Sequence, residues 1–402
     1  MSDASTHPET LALHFGAPAP AVGEPVSAPL IAATSFHTAP GTVGFSSADM
    51  ADTIPYSYTR WSNPTVALLE MRLAALEGGA GAVCFASGMA AVVALFLSRL
   101  GQGDHLILSD VCYAGVAELA RDALRRFGIA VTPVDTADPH GVSRAVRAGM
   151  TRLVHLETPA NPTLKLGDIE ALADIAHQAG ADLSVDSTIA TPVSTQPMTL
   201  GADYVVHSLT KYICGHGDAL GGVIVVRNRE RLAELRQGAL VHLGAALNPF
   251  AAWLIARGLE TLPARMRVHE ANARGVADFL RSHPKVAAVC WPGLESHPQA
   301  APAQRQMRNF SGLLAFTAKE DGAALARQLA ERLRVFAYAV SFGKTKSLLF
   351  YIPTDDILRT SFQLDARGAS AYRSWAGEGL FRVSVGLESL EDLLRDLEQA
   401  ME

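Results

Sequence analysis

Between residues 63 and 226, short apolar runs alternate with amphipathic stretches at a regular spacing. The runs at 82–86, 105–108, 130–133, 153–156, 183–186, 204–207 and 222–226 read as buried strands. The stretches 88–99, 116–127 and 168–180 repeat apolar residues at helical spacing. Asn63-Pro64 puts a capping residue before a proline at the first helical position, and Val66, Leu69, Leu73 and Leu76 form one stripe ending at Gly78-Gly79. Strand–helix alternation of this kind predicts an α/β fold with a mostly parallel sheet covered on both faces. The rhythm turns helical near 248–257, and a long helix is expected over 265–282. Strands near 286–291 and 313–317 and helices at 323–334 and 390–401 then predict a smaller α+β unit. Residues 1–51 are rich in Pro, Ala, Ser, Thr and Gly with little periodicity, which predicts an extended arm. Its apolar and aromatic positions at 29–36 and 56–61 would lie against a neighbouring subunit. The expected division is an arm over 1–62, an α/β domain over 63–258 and an α+β domain over 259–402.

Composition narrows the possibilities. With 49% hydrophobic and 18% charged residues the chain has a globular balance, and a net charge of -6 argues against nucleic-acid or anionic-membrane partners. Cys84, Cys112, Cys214 and Cys290 form no CxxC pair, so a disulfide framework and a zinc site are both unexpected. The apolar stretch at 90–97 is far short of the roughly 20 residues that span a bilayer. No secretory pattern opens the chain, and the expected location is the cytoplasm.

Ligands of open α/β sheets bind at the carboxyl ends of the strands. At those ends stand Ser87-Gly88-Met89-Ala90, Tyr113, Glu157-Thr158-Pro159-Ala160-Asn161-Pro162, Asp186 and Ser208-Leu209-Thr210-Lys211. One cofactor, pyridoxal phosphate (PLP), explains the set. Lys211 supplies the amine that holds it as a Schiff base, and Asp186 keeps the pyridine nitrogen protonated. The N–H groups of Gly88 and Met89, with the hydroxyls of Ser208 and Thr210, suit the phosphate. Tyr113 is placed to stack on the ring and Asn161 to meet the ring oxygen. Arg382 stands in an otherwise apolar strand pattern, where a guanidinium is costly unless it faces an anion; a substrate α-carboxylate fits its fork.

These motifs, with Val185-Asp186-Ser187-Thr188, His207-Ser208-Leu209-Thr210-Lys211-Tyr212 and Arg382-Val383-Ser384-Val385-Gly386-Leu387-Glu388, resemble the trans-sulfuration (Cys/Met metabolism) PLP enzymes. That family includes cystathionine γ-synthase, cystathionine γ- and β-lyases, methionine γ-lyase and the homoserine-ester sulfhydrylases. The resemblance implies a fold-type I enzyme, a tetramer of two close dimers. It also implies that Tyr58 and Arg60, in Tyr58-Thr59-Arg60, reach the neighbour's cofactor. Ser341 and Tyr113 join Arg382 on the substrate side, and Tyr113 is a candidate proton donor. The implied reaction is γ-elimination or γ-replacement on a homoserine-type or sulfur-containing amino acid. β-Elimination from cystathionine or cysteine, and homoserine-ester sulfhydrylation, remain alternatives. A PLP-binding regulator would need a DNA-binding segment, a nucleotide-dependent oxidoreductase a GxGxxG turn, and a metalloenzyme HExxH-like spacing; the chain shows none of the three.

Three departures bear on the substrate. Ala114-Gly115 follows Tyr113, without the cysteine of methionine γ-lyases, and Leu240-Val241 replaces their Lys-Asp pair. Ser341-Phe342-Gly343-Lys344-Thr345-Lys346-Ser347 puts lysines where many relatives carry a glutamate, which disfavours a distal ammonium on the substrate.

Overall fold

The computed structural model describes residues 6–16, 22–23, 25–40, 46, 56–362 and 364–402. Much of the expected arm therefore lies outside the described residues. The seven strands read from the apolar runs are β1 (Gly81–Phe85), β2 (His105–Ser109), β3 (Ala130–Val134), β4 (Thr151–Glu157), β5 (Asp182–Asp186), β6 (Tyr204–Ser208) and β7 (Gly222–Val226). They form one sheet in the order β1-β7-β6-β5-β4-β2-β3. Strands β2 to β6 run parallel, whereas β7 is antiparallel to both β6 and β1. The link from β6 to β7 contains no helix, so the chain returns alongside β6 in the opposite sense.

Successive side chains of a strand point to opposite faces, and both faces are buried here. Val83, Phe85, Leu106, Leu108, Val206 and Ile224 pack under the Gly88–Arg99 helix with Leu95 and Phe96. Cys84, Ile107, Val154, Leu183, Val205 and Val223 pack on the other face with Leu69 and Leu73 of the Pro64–Glu77 helix. The run at 130–133 differs from its expectation. As β3 it is the edge strand, paired only with β2, and none of its residues is buried, Pro133 being exposed. The single helix expected over 116–127 is instead an α-helix, Ala114–Asp122, followed by a 3-10 turn, Leu124–Phe127.

A second sheet has the order β10-β11-β12-β9-β8, from β8 (Val286–Cys290), β9 (Leu313–Ala318), β10 (Ala337–Tyr338), β11 (Leu348–Pro353) and β12 (Gly379–Ser384). The long helix before it spans Leu262–Ser282, and the last helix Leu390–Met401. Arg382 sits on β12, between Phe350 of β11 and Ala315 of β9.

Where the arm is described, one part is helical and others hydrogen-bond within the same chain. Pro8–His14 is a helix with Ala12 fully buried, and Arg72 donates to the carbonyls of Leu13 and Phe15. Ile31 N–H donates to Thr65 Oγ1, Trp253 Nε1–H to the Ala28 carbonyl, and Ser35 bridges Tyr58. These segments lie on their own chain. No helix among the described residues is long and apolar enough to cross a membrane, and no group of potential ligands there could hold a metal.

Candidate active site

The side-chain period of two decides which strand-end residues share a face. Glu157, Asp186 and Ser208 end β4, β5 and β6, and all project to the face covered by the Gly88–Arg99 helix. Together with Gly88, Met89, Tyr113, Asn161, Thr188, Thr210, Lys211 and Phe342 they line one cleft. Ser87 caps the helix by accepting from Ala90 N–H at 3.1 Å, so the helix opens towards the cleft with its first N–H groups beyond the intrahelical ladder. Gly88 is required by close approach: a Cβ there would meet Ser208 Cβ at 2.9 Å and Oγ at 3.1 Å. Thr210 Oγ1 accepts from Gly221 N–H at 3.1 Å, which places its hydroxyl at the same end of the cleft.

Asp186 Oδ1 accepts from Thr188 N–H at 3.0 Å and from Thr188 Oγ1–H at 2.6 Å. Its Oδ2 takes no hydrogen bond among the described residues. Thr188 Oγ1 accepts in turn from Ser208 N–H at 2.8 Å, tying the two strand ends together. Burial raises the Asp186 carboxyl, against the pull of Thr188 and of the His207 imidazole on the opposite face. Glu157, beside Asp186 in register, is pushed above the usual carboxyl range, first by burial and then by the Asp186 charge.

Lys211 donates to Ser341 Oγ at 3.0 Å, with its ammonium 5.1 Å from the Phe342 ring. Burial, then the Arg382 and Lys344 charges, lower it to about 8. Arg382 is 9% exposed and donates from Nη1 to Asn161 Oδ1 at 2.8 Å and from Nη2 to the Ser341 carbonyl at 3.0 Å. Burial brings the guanidinium down to about 10. Ser341 thus holds Lys211 with its side chain and Arg382 with its backbone, at φ 82, a left-handed conformation that a non-glycine residue rarely adopts. Tyr113 caps the Ala114–Asp122 helix and is 48% exposed, its ring packed over Gly115, where a Cβ would come 2.9 Å from Cε1.

Of the residues singled out in the sequence, Gly88, Met89, Tyr113, Asn161, Asp186, Ser208, Thr210 and Lys211 line this cleft, and Ser341 and Arg382 hydrogen-bond to its members. Tyr58 and Arg60 do not line it. They lie exposed, with the Arg60 guanidinium 5.6 Å from the Tyr58 ring and Arg60 Nη1 donating to the Val241 carbonyl at 2.7 Å. Glu157 and Thr188 are members that sequence reasoning did not assign a role. Glu157 was detectable as a strand-end acid in the same motif as Asn161. The two lysines separate: Lys344 is half-buried with its charge acting on Lys211, whereas Lys346 is exposed.

The set fits pyridoxal phosphate. A glycine cradle beside two hydroxyls faces a helix start, a carboxylate keeps one oxygen unpaired at the cleft floor, and a lysine of lowered pKa stands opposite. Comparison with known proteins agrees. The model of the Cys/Met metabolism PLP-dependent enzyme family matches residues 9–402. The chain is 41% identical to the canavanine gamma-lyase of Pseudomonas canavaninivorans, across 98% of this chain and 96% of that protein. It is 42% identical to the L-methionine gamma-lyase of Fusobacterium nucleatum subsp. polymorphum, across 86% of each. Identity to the cystathionine gamma-synthase of Mycobacterium tuberculosis H37Rv is 40%, across 98% of this chain and 96% of that protein. The solved structure of cystathionine gamma-lyase from Lactobacillus plantarum, complexed with L-serine, superposes with a TM-score of 0.86 at 32% identity, across 98% of both chains.

Proposed function

Because this chain belongs to the Cys/Met metabolism PLP-dependent enzyme family, we propose that it catalyses γ-elimination or γ-replacement on a homoserine-type or sulfur-containing amino acid. The observation that carries the reading is Lys211, lowered to about 8 and held by Ser341 beside the Arg382 fork. γ-Chemistry is favoured over β because the relatives at about 40% identity across nearly the whole chain are named as γ-enzymes.

Pyridoxal phosphate, when bound, supplies the electron sink that makes the Cα–H bond acidic. Gly88, Met89, Ser208 and Thr210 would hold its phosphate, Asp186 its ring nitrogen, and Asn161 its ring oxygen. Asn161 Oδ1 is already taken by Arg382, which leaves the amide N–H groups to donate. At pH 7 a lysine of ordinary pKa is neutral about once in 3,000 molecules, and one near 8 about once in ten. Lys211 Nζ can therefore act as a base, taking the α-proton and later a proton from Cβ. The Arg382 guanidinium fixes the α-carboxylate, and the Tyr113 hydroxyl delivers a proton to the group leaving Cγ. Incubating the enzyme with L-canavanine, L-methionine, L-cystathionine and an O-acylhomoserine tests the reading. Four-carbon products such as 2-oxobutyrate, or a new thioether when a thiol is supplied, are expected. Pyruvate alone would transfer the assignment to β-elimination.

Tyr58 and Arg60 belong, in this reading, to the cofactor site of a second copy, since both stand exposed outside their own cleft. Arg60→Ala is expected to weaken cofactor retention. Mixing it in equal amounts with Lys211→Ala under subunit exchange should restore about a quarter of the sites, because half the dimers are hybrids with one intact site each. Recovery of none, with exchange demonstrated, removes the sharing.

Lys344 and Lys346 give opposite expectations. Replacing Lys344 by Met removes a cation that disfavours the Lys211 ammonium, so the Lys211 pKa rises. The rate of cofactor attachment to apoenzyme, followed by visible absorbance, should then reach its half-maximum at a higher pH than in the unaltered protein. Lys346→Glu should leave that midpoint in place, because an exposed charge contributes only about 0–1 kcal/mol.

A further inference from the structure

Glu157 is the one carboxylate of the cleft that the proposed chemistry leaves without a task. It ends β4, is 6% exposed, and its own N–H donates to Ser109 Oγ at the end of β2. Its two oxygens go to different loops. Oε2 accepts from Tyr113 N–H at 2.5 Å, and Oε1 accepts from Asn161 N–H at 2.7 Å.

We propose that Glu157 is a positioning residue of the cofactor site, its single buried carboxylate setting the place of Tyr113 against that of Asn161. The inference rests on the proposed reading, in which Tyr113 covers the cofactor ring and Asn161 meets its edge. These two residues arrive from separate loops, after β2 and after β4, and Glu157 accepts a hydrogen bond from both. A carboxyl group offers two oxygens about 2.2 Å apart, each able to accept, so one side chain receives both donors, most strongly when it is ionised. Asn161 passes the constraint on, because its Oδ1 holds Arg382. Tyr113, Asn161, Arg382 and Ser341 thus form one connected set.

A filler that only satisfied two loop N–H groups would be better made from a neutral side chain. Glu157 stands directly opposite Asp186 on the neighbouring strand, and like charges in register are destabilising. Burial and the Asp186 charge both oppose its ionised form, and the two N–H donors favour it. The positive ring nitrogen expected beside Asp186 in the loaded enzyme would offset that repulsion, so the ionised bracket is strongest when the cofactor is present.

The test uses holoenzyme carrying Glu157→Gln or Glu157→Ala. Glutamine keeps one acceptor oxygen and alanine none, so the expected order of effect is graded. Visible circular dichroism of the bound cofactor, which reports how the ring is held, should change in Gln and more in Ala. The value of kcat should fall roughly ten- to a hundredfold in Gln, the scale of a small misplacement of reacting groups. Thermal midpoints of the apoproteins should stay close to the unaltered protein. A Glu157→Gln protein with unaltered dichroism and kcat overturns the proposal, as does a loss confined to the apoprotein's thermal midpoint. Should Gln fail to fold, Glu157→Asp keeps the charge but is one methylene short of spanning both donors. It should still change the dichroism, and an unaltered spectrum overturns the proposal equally. Dichroism needs no substrate, so an enzyme inactive on every γ-substituted amino acid would sink the proposed reaction and leave Glu157 separately testable.

Discussion

Lys211→Ala is expected to lose the visible absorbance of the covalently held cofactor and to retain less than about one part in 10⁴ of the turnover, the upper range for losing a positioned base. In the proposed reading two functions disappear together: the amine that carries the cofactor and the base that moves protons at Cα and Cβ. The cofactor would still bind through the Gly88 turn, Ser208 and Asp186, so equilibrium dialysis should show reduced rather than absent binding. The pH dependence has a defined sign. Only the neutral amine attacks an aldehyde, so attachment in the unaltered enzyme should accelerate as pH rises through about 8. A midpoint near the ordinary lysine value of 10.5 would mean that burial and the Arg382 and Lys344 charges do not act as the geometry implies. A Lys211→Ala protein that keeps its visible band and its turnover would remove the residue from the reaction.

Arg382→Ala should lower kcat/KM by about a thousandfold, within the 2–5 kcal/mol cost of losing a buried, hydrogen-bonded charge partner. The loss has two parts. In the proposed reading the substrate α-carboxylate loses its fork, and Asn161 Oδ1 and the Ser341 carbonyl lose the donors that hold them at 2.8 and 3.0 Å. Arg382→Lys should recover little, since one ammonium cannot reach two acceptors in the geometry of a guanidinium. An analogue that lacks the α-carboxylate separates the parts. It should be handled poorly by the unaltered enzyme and not much worse by Arg382→Ala. An equal thousandfold loss on that analogue would assign Arg382 a purely architectural part.

Much of the scaffold was legible because the physics behind it is local. Seven apolar runs appear as the seven strands of the large sheet, since strands covered on both faces are mostly apolar along their length; β3, at the edge, is less buried. Asn63-Pro64 starts a helix for reasons contained in two residues. Strand β11 and the helices Thr354–Thr360 and Ala366–Ala376 were not foreseen; short elements with mixed polarity carry little periodic signal. The helix Pro8–His14 was missed for a related reason: it is short, and Arg72, far along the chain, helps to hold it.

The amino-acid order alone determined the strand–helix rhythm, the kinds of group at the strand ends, and the resemblance those groups carry. Tertiary structure decided which of them meet. A period of two places Glu157, Asp186 and Ser208 on one face, but only strand pairing sets Glu157 opposite Asp186. The bond from Arg382 to Asn161 spans 221 positions, and that from Lys211 to Ser341 spans 130. Neither distance leaves a trace in local pattern. The same holds for the lowered Lys211, whose causes are burial and two charges from the other sheet's side of the cleft. It holds again for Lys344 and Lys346, two positions apart in the chain, one half-buried against the site and the other turned to water. Side-chain type is written in the chain, whereas burial and neighbouring charge, which set what a side chain can do, exist only once distant segments have packed together.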